Sequence, residues 1–183
     1  MRIAFTDGEM SNLNADFGQL LCACIVEYQP GARPWKNLRI FGLDDYTGKR
    51  WVDRGLARNW RDALQDYDVV VTWNGLKFDV PFLNTRLQRW GLKEIILSKH
   101  KDLMYTARFK MRLHSASLES VSSHLRIHDK YGIAKTKMDP ERWTMALGGH
   151  RPSYRYIIQH CILDVKVLAA VWEETKHLVT EIK

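Results

Sequence analysis

The chain has 183 residues, a formal net charge of +7, 45% hydrophobic and 27% charged residues. This is an ordinary soluble globular composition, long enough for one domain (1–183) with a real core. No apolar run approaches the ~20 residues that a membrane helix needs, so no membrane partner is expected. The N-terminus lacks the charged start, apolar centre and cleavage site of a secretory signal. Three cysteines, an odd number, argue against a disulfide framework. Cys22 and Cys24 fall on one face of a strand and read as buried thiols. These features point to a reducing, cytoplasmic compartment. The positive charge points to a polyanionic partner, nucleic acid first.

The apolar run Ile3-Ala4-Phe5 reads as a strand that leads into Asp7-Gly8-Glu9. Side chains alternate faces along a strand, so Asp7 and Glu9 point the same way, about 7 Å apart. Two carboxylates aimed at one spot repel each other unless a cation sits between them. A hard divalent ion suits such oxygen ligands. Ser11 to Asp16 is a polar loop. Gln19 to Tyr28 is a second strand, ended by Pro30-Gly31. Asn37 to Leu43 is a third, and short links make the three an antiparallel meander. Asp44 to Lys49 is a loop.

Leu56, Trp60 and Leu64 recur every four residues among charged neighbours, which predicts an amphipathic helix. Val69 to Thr72 is a buried strand bounded by Asn74-Gly75. Val80 to Trp90 is helical, with Pro81 in its first turn and Gly91 past its end. Ile95-Ile96-Leu97 reads as a short strand. From Lys101 the chain is mainly helical. Ser117 to Leu125 is one helix, Asp139-Pro140 opens another, and Tyr154 to about His177 is the longest. The fold class is therefore α/β: a mixed sheet, meander plus parallel strands, flanked by helices, with the first strand central.

Asp79 stands where the strand at Val69–Thr72 turns into the next helix. Taken alone, it reads as a helix cap. Asp164 lies within or beside the apolar stripe of the last helix, formed by Ile157, Cys161, Val165 and Leu168. A buried carboxylate there needs a partner or a metal. His160 is one turn earlier on the same face, so a structural Asp–His pair is the alternative.

Asp7-x-Glu9, Asn74-x3-Phe78-Asp79 and the late helical Asp164 resemble, in order and setting, the three motifs of the DEDD 3′–5′ exonucleases. That group has the ribonuclease H-like fold. The contexts Trp73 to Leu83 and Cys161 to Val165 look most like exonuclease domains related to those of family B DNA polymerases. No polymerase region is present in the chain. The resemblance implies that Asp7, Glu9 and Asp164 hold one Mg²⁺ or Mn²⁺. Asp7 would bridge to a second ion, supported by Asp79 through water. Two such ions ~3.5–4 Å apart activate water and stabilise the leaving 3′ oxygen. The implied activity removes nucleoside 5′-monophosphates from the 3′ end of single-stranded or frayed DNA, or of RNA. Alternatives are a structure-specific endonuclease of the same fold and a non-catalytic nucleic-acid-binding module.

One branch of the resembled group has Tyr-x3-Asp in the last motif and another has His-x4-Asp. Here the pattern is His160-x3-Asp164, with Gln159 where the second branch has His. His160 is the candidate base, since a neutral imidazole suits that work near pH 7. Tyr156, a further turn upstream, is placed to reach in through water. Met10 departs from the Thr, Ser or Ala that usually follows the Glu. Candidate substrate contacts are Gly8, Met10, Trp73, Asn74, Phe78, Lys135 and Lys137. Trp73 or Phe78 could stack on a terminal base, with core packing the plainer role for Phe78. Lys130, Lys135 and Lys137 form one of three basic clusters. The others are Lys99-His100-Lys101 and Arg108, Lys110 and Arg112; each is either a phosphate contact or a solvated face. Asp102 is read as outside the carboxylate site.

Overall fold

The computed structural model describes residues 1–43 and 52–179. The loop read over 44–49 and the tryptophan at 51 lie outside them. The opening strand is β1 (Ile3–Met10), followed by β2 (Leu20–Tyr28) and β3 (Trp35–Gly42). Then come α1 (Arg54–Leu64), β4 (Val69–Thr72), α2 (Asp79–Arg89) and β5 (His100–Asp102). The remainder is helical: α3 (Leu103–Lys110), α4 (Leu118–His124), α5 (Ile127–Tyr131), α6 (Pro140–Leu147) and α7 (Arg151–Thr175).

The sheet order is β3-β2-β1-β4-β5, with β1 central. β2 runs antiparallel to β1 and β3, whereas β4 is parallel to β1 and β5 parallel to β4. The expected mixed sheet is what forms. Ile95–Leu97 is not a strand. Asn84 of α2 accepts from the Ile95 amide at 2.8 Å, so side-chain hydrogen bonding takes the place of a ladder. The strand falls five residues later, where Val70 to Thr72 pair with His100 to Asp102.

Alternation along β1 sorts the chain into two cores. Ile3 and Phe5 face α7, together with Val69, Val71, Ile157, Cys161 and Leu168. Ala4 faces α1 and α2, packing with Val70, Leu56, Trp60 and Leu83. Full burial of Phe5 or Leu56 contributes roughly 1.5–3 kcal/mol each. The same parity carries Asp7 and Glu9 to the α7 side and Gly8 to the α1 side. Gly8 needs its missing side chain: a Cβ there would stand 2.7 Å from Cη2 of Trp60. Gly8→Ala is expected to cost about 1–3 kcal/mol through overpacking, read as a lower melting temperature.

Candidate active site

β1, β4 and β5 point the same way, so their C-terminal ends share one edge of the sheet. Asp7 and Glu9 come from β1, Asp79 from the start of α2 and Asp164 from the middle of α7. Ligand atoms of Glu9, His160 and Asp164 lie within 4.8 Å of one another, as do those of Asp7, Glu9 and Cys161. Four of the five residues read as catalytic are thus brought together, and Asp79 joins them as the charged neighbour that acts most strongly on Asp7. Asp79 is not acting as a helix cap: the N-cap position is Phe78, with no side-chain cap bond. Asp79 is 4% exposed, and its Oδ1 accepts from the Gly8 amide at 3.1 Å. That bond ties the second motif to the first.

Concentrated buried charge shows in the acidities. Burial, then the neighbouring Asp79, Glu9 and Asp164, push the Asp7 carboxyl well above its ordinary range. Burial, then Asp164, does the same to Glu9, against the pull of Lys135. Asp79 is pushed up to about 7, chiefly by burial, with the Gly8 amide opposing. Burial likewise raises the Cys161 thiol, which donates to the Asp7 carbonyl at 3.4 Å. A protonated soft sulfur is a poor ligand for a hard ion, which leaves the oxygens as the donor set.

The Lys135 ammonium pairs with Asp164 Oδ2. Asp164 Oδ1 is buried and, among the described residues, has no hydrogen-bond partner. A buried carboxylate oxygen without a donor is costly, and a cation removes that cost. Four acids from three elements with an orphaned oxygen therefore fit Mg²⁺ or Mn²⁺.

His160 is 7% exposed and stands beside the acids. Its Nε2 is 3.8 Å from both Glu9 Oε1 and Asp164 Oδ2. Its Nδ1 is hydrogen-bonded to the Thr136 hydroxyl at 2.6 Å, and Trp143 packs edge-on against the ring at 5.4 Å. Burial lowers its pKa, offset in part by Asp164, so the ring is neutral at pH 7. Tyr156 does not reach in: its hydroxyl donates to the Lys137 carbonyl at 2.7 Å. Lys137 is exposed, and its carbonyl helps fix the segment that carries Lys135 and Thr136.

A cavity of about 580 Å³ opens beside the acids. Gly8, Glu9, Met10, Phe78, Trp143 and His160 are among its walls. That volume suits a small ligand such as a nucleotide. Phe78 is half-buried, lines the cavity and packs on Phe82 at 6.0 Å. Trp73 instead packs partly buried against the α7-side core. Asn74 adopts a left-handed conformation (φ 64°), which Asn tolerates, and its carbonyl accepts from Lys77 and Phe78.

Three contributors escaped the sequence reading. Asp102 sits outside the acid cluster but accepts from the amides of Asn74 (2.8 Å) and Leu76 (3.0 Å), fixing the second motif loop. Trp143 gave no signal, because its approach to His160 depends on how α6 crosses α7. Asp53 is fully buried and accepts from Arg86 Nε and Nη2 at 2.8 and 2.9 Å. Arg86 then donates to the Ala15 carbonyl at 3.1 Å, pinning the loop that edges the cavity.

The chain belongs to the RNase_H superfamily: the model of that family matches residues 43–175. The ribonuclease H-like fold of that superfamily is a nuclease-type fold, of the kind that generally works on nucleic acid with divalent ions. The structure is similar to that of the family B DNA polymerase from the hyperthermophilic archaeon Pyrobaculum calidifontis. The TM-score is 0.72 at 16% identity, over 96% of this chain and 24% of that one. At that identity the likeness is one of fold, and the chain spans about a quarter of the polymerase. No curated protein matches the sequence.

The acid cluster has a consequence for stability. Between pH 6.5 and 8.5 the unfolded carboxylates are fully ionised, while Asp79, pushed up to about 7, is still releasing its proton in the folded state, and Asp7 and Glu9 are shifted in the same direction. The folded state then binds more protons than the unfolded one, so stability falls as pH rises. His100 and His160, lowered by burial, work the other way, but only up to about pH 6.5. The melting temperature of the chelator-treated protein is expected to fall from pH 6.5 to 8.5, and Mg²⁺ to restore it. A melting temperature that rises over this range without metal would contradict the assignment of these acidities.

Proposed function

We propose that residues 1–183 form one metal-dependent 3′–5′ exonuclease domain that shortens single-stranded DNA or RNA and releases nucleoside 5′-monophosphates. The observation that carries this reading is the clustering of Asp7, Glu9, Asp79 and Asp164, with one buried Asp164 oxygen left without a partner among the described residues. The 3′ polarity rests on the motif resemblance. Three free, buried cysteines agree with a cytoplasmic setting. Among the described residues no helix is long and apolar enough to cross a membrane.

Asp7, Glu9 and Asp164 would hold the first Mg²⁺ or Mn²⁺, with Asp7 and Asp79 toward the second. The ions would supply positive charge at the attacked phosphate and at the leaving oxygen. The terminal base enters the cavity between Phe78, Met10 and Trp143, held by apolar contact that suits any base. His160 Nε2 takes the proton of the attacking water, in the tautomer whose Nδ1–H donates to the Thr136 hydroxyl. Water oxygen bonds to phosphorus as the bond to the 3′ oxygen breaks. Lys135 leaves Asp164 for a phosphate oxygen as substrate and ions arrive, which keeps the charge of the site balanced. Lys137, on the same exposed segment, meets the next phosphate.

Linear and circular single strands, as DNA and as RNA, test the reading. Digestion of linear strands to 5′-monophosphates, with circles intact, is the expected result. Internal cuts in circles would make the protein an endonuclease. Binding without cleavage in any metal would make it a non-catalytic module.

A further inference from the structure

Beyond the carboxylates, α3 carries a surface that the core does not require. Its buried residues are Leu103 and Ala107. On another face, Tyr105 and Phe109 stack with ring centroids 6.2 Å apart and planes 18° from parallel. Phe109 is 74% exposed. A large exposed ring stacked on a second ring is a candidate interaction surface.

The surroundings say what would cover it. Arg108, Lys110 and Arg112 are exposed, and none pairs with a carboxylate among the described residues. Between Ile95 and Leu118 the one acidic residue is Asp102. Its oxygens are engaged by the amides of Asn74, Leu76 and Met104, so it does not screen these cations. An exposed ring stacked on a half-buried one, interleaved with unpaired cations, is the chemistry of a single-strand track, in which bases stack and phosphates meet charge.

The surface is also joined to the acid cluster. Asp102 caps α3 through Met104 and holds the second motif loop through Asn74 and Leu76. Lys77 of that loop stands 5.9 Å from the Tyr105 ring centroid. Asp79 lies two residues further on. The path thus runs from the carboxylates over Lys77 to Tyr105, Phe109 and the arginines.

We propose that Tyr105 and Phe109, flanked by Lys77, Arg108, Lys110 and Arg112, are a stacking platform for the nucleotides on the 5′ side of the bound terminus. This rests on the carboxylates being where the 3′ end is held. Contacts of this kind do not depend on sequence, and they serve DNA and RNA alike.

The test uses the full chain with a labelled strand of about twelve nucleotides, within the usual reach of single-strand grooves. Fluorescence anisotropy in EDTA reads binding without cleavage, and dinucleotide hydrolysis in Mg²⁺ reads the acid cluster alone. Phe109→Ala and Tyr105→Ala are expected to weaken strand binding about tenfold each and to leave dinucleotide hydrolysis unchanged. The triple change of Arg108, Lys110 and Arg112 to Gln is expected to flatten the salt dependence by about 0.7 per lost phosphate contact. Unchanged strand affinity in both ring variants would overturn the proposal and leave the rings to a protein partner. So would an equal loss on the dinucleotide, or no strand binding by the parent. If the parent binds strands through these rings but cleaves nothing, the platform stands and the nuclease reading falls.

Discussion

Asp7→Ala is expected to abolish cleavage and, at the same time, to stabilise the metal-free protein. Asp7 is the acid crowded by the most neighbours, with Asp79, Glu9 and Asp164 all pressing its carboxyl toward the protonated form. Removing it takes away a ligand that both proposed ions share. The loss should be at least about a thousandfold, or about 4 kcal/mol of transition-state stabilisation. The same change relieves buried like-charge repulsion, worth about 1 kcal/mol or about 2–4 °C in melting temperature at neutral pH. Activity assays and melts on one preparation check both. Loss of activity together with a lower metal-free melting temperature would mean that Asp7 is structural.

His160→Ala is expected to lower the rate by about 10²–10⁴-fold, the usual range for a lost proton acceptor. Metal affinity should change far less, because His160 Nε2 stands 3.8 Å from the acids and the carboxylate oxygens do the holding. The pH–rate profile is the sharper test. Burial lowers the pKa of the ring, so the parent rate should climb with pH below about 6.5 and level off above it. The variant should lose that acid limb. A limb that persists in His160→Ala would assign it to the carboxylates and leave His160 as a support for Asp164. His160→Tyr puts the Tyr-x3-Asp pattern of the resembled group at the same place in the helix. Its phenol would have to displace the bond to Thr136 and the contact with Trp143.

Much of the fold was legible because periodicity reports faces. Alternation along Ile3 to Glu9 put the two acids on one side of β1, and that side is the one α7 covers. The stripe of Ile157, Cys161, Val165 and Leu168 placed Asp164 at the buried edge of α7, with His160 a turn away. Central placement of β1 followed from acids gathering at its end.

What stayed hidden depends on crossings between elements. Lys135 was visible as a loop cation, but its grip on Asp164 needs the chain after α5 to pass over α7. Trp143 looked like any aromatic on an amphipathic helix until α6 packed it on His160. Asp79 looked like a cap because an acid at a strand-to-helix turn usually is one. Its real partner, the Gly8 amide, is 71 residues away. Ile95 to Leu97 had strand composition, yet an asparagine on the neighbouring helix had already claimed the Ile95 amide. Local propensity could not report that competition.

The most direct measurement is hydrolysis of a 5′-labelled single strand in Mg²⁺ or Mn²⁺, with EDTA and with Asp7→Ala as controls. A ladder that shortens one nucleotide at a time from the 3′ end, absent in both controls, is the predicted result. Products that keep the 3′ end and lose the 5′ label first, or cleavage that survives EDTA or the loss of Asp7, would contradict it.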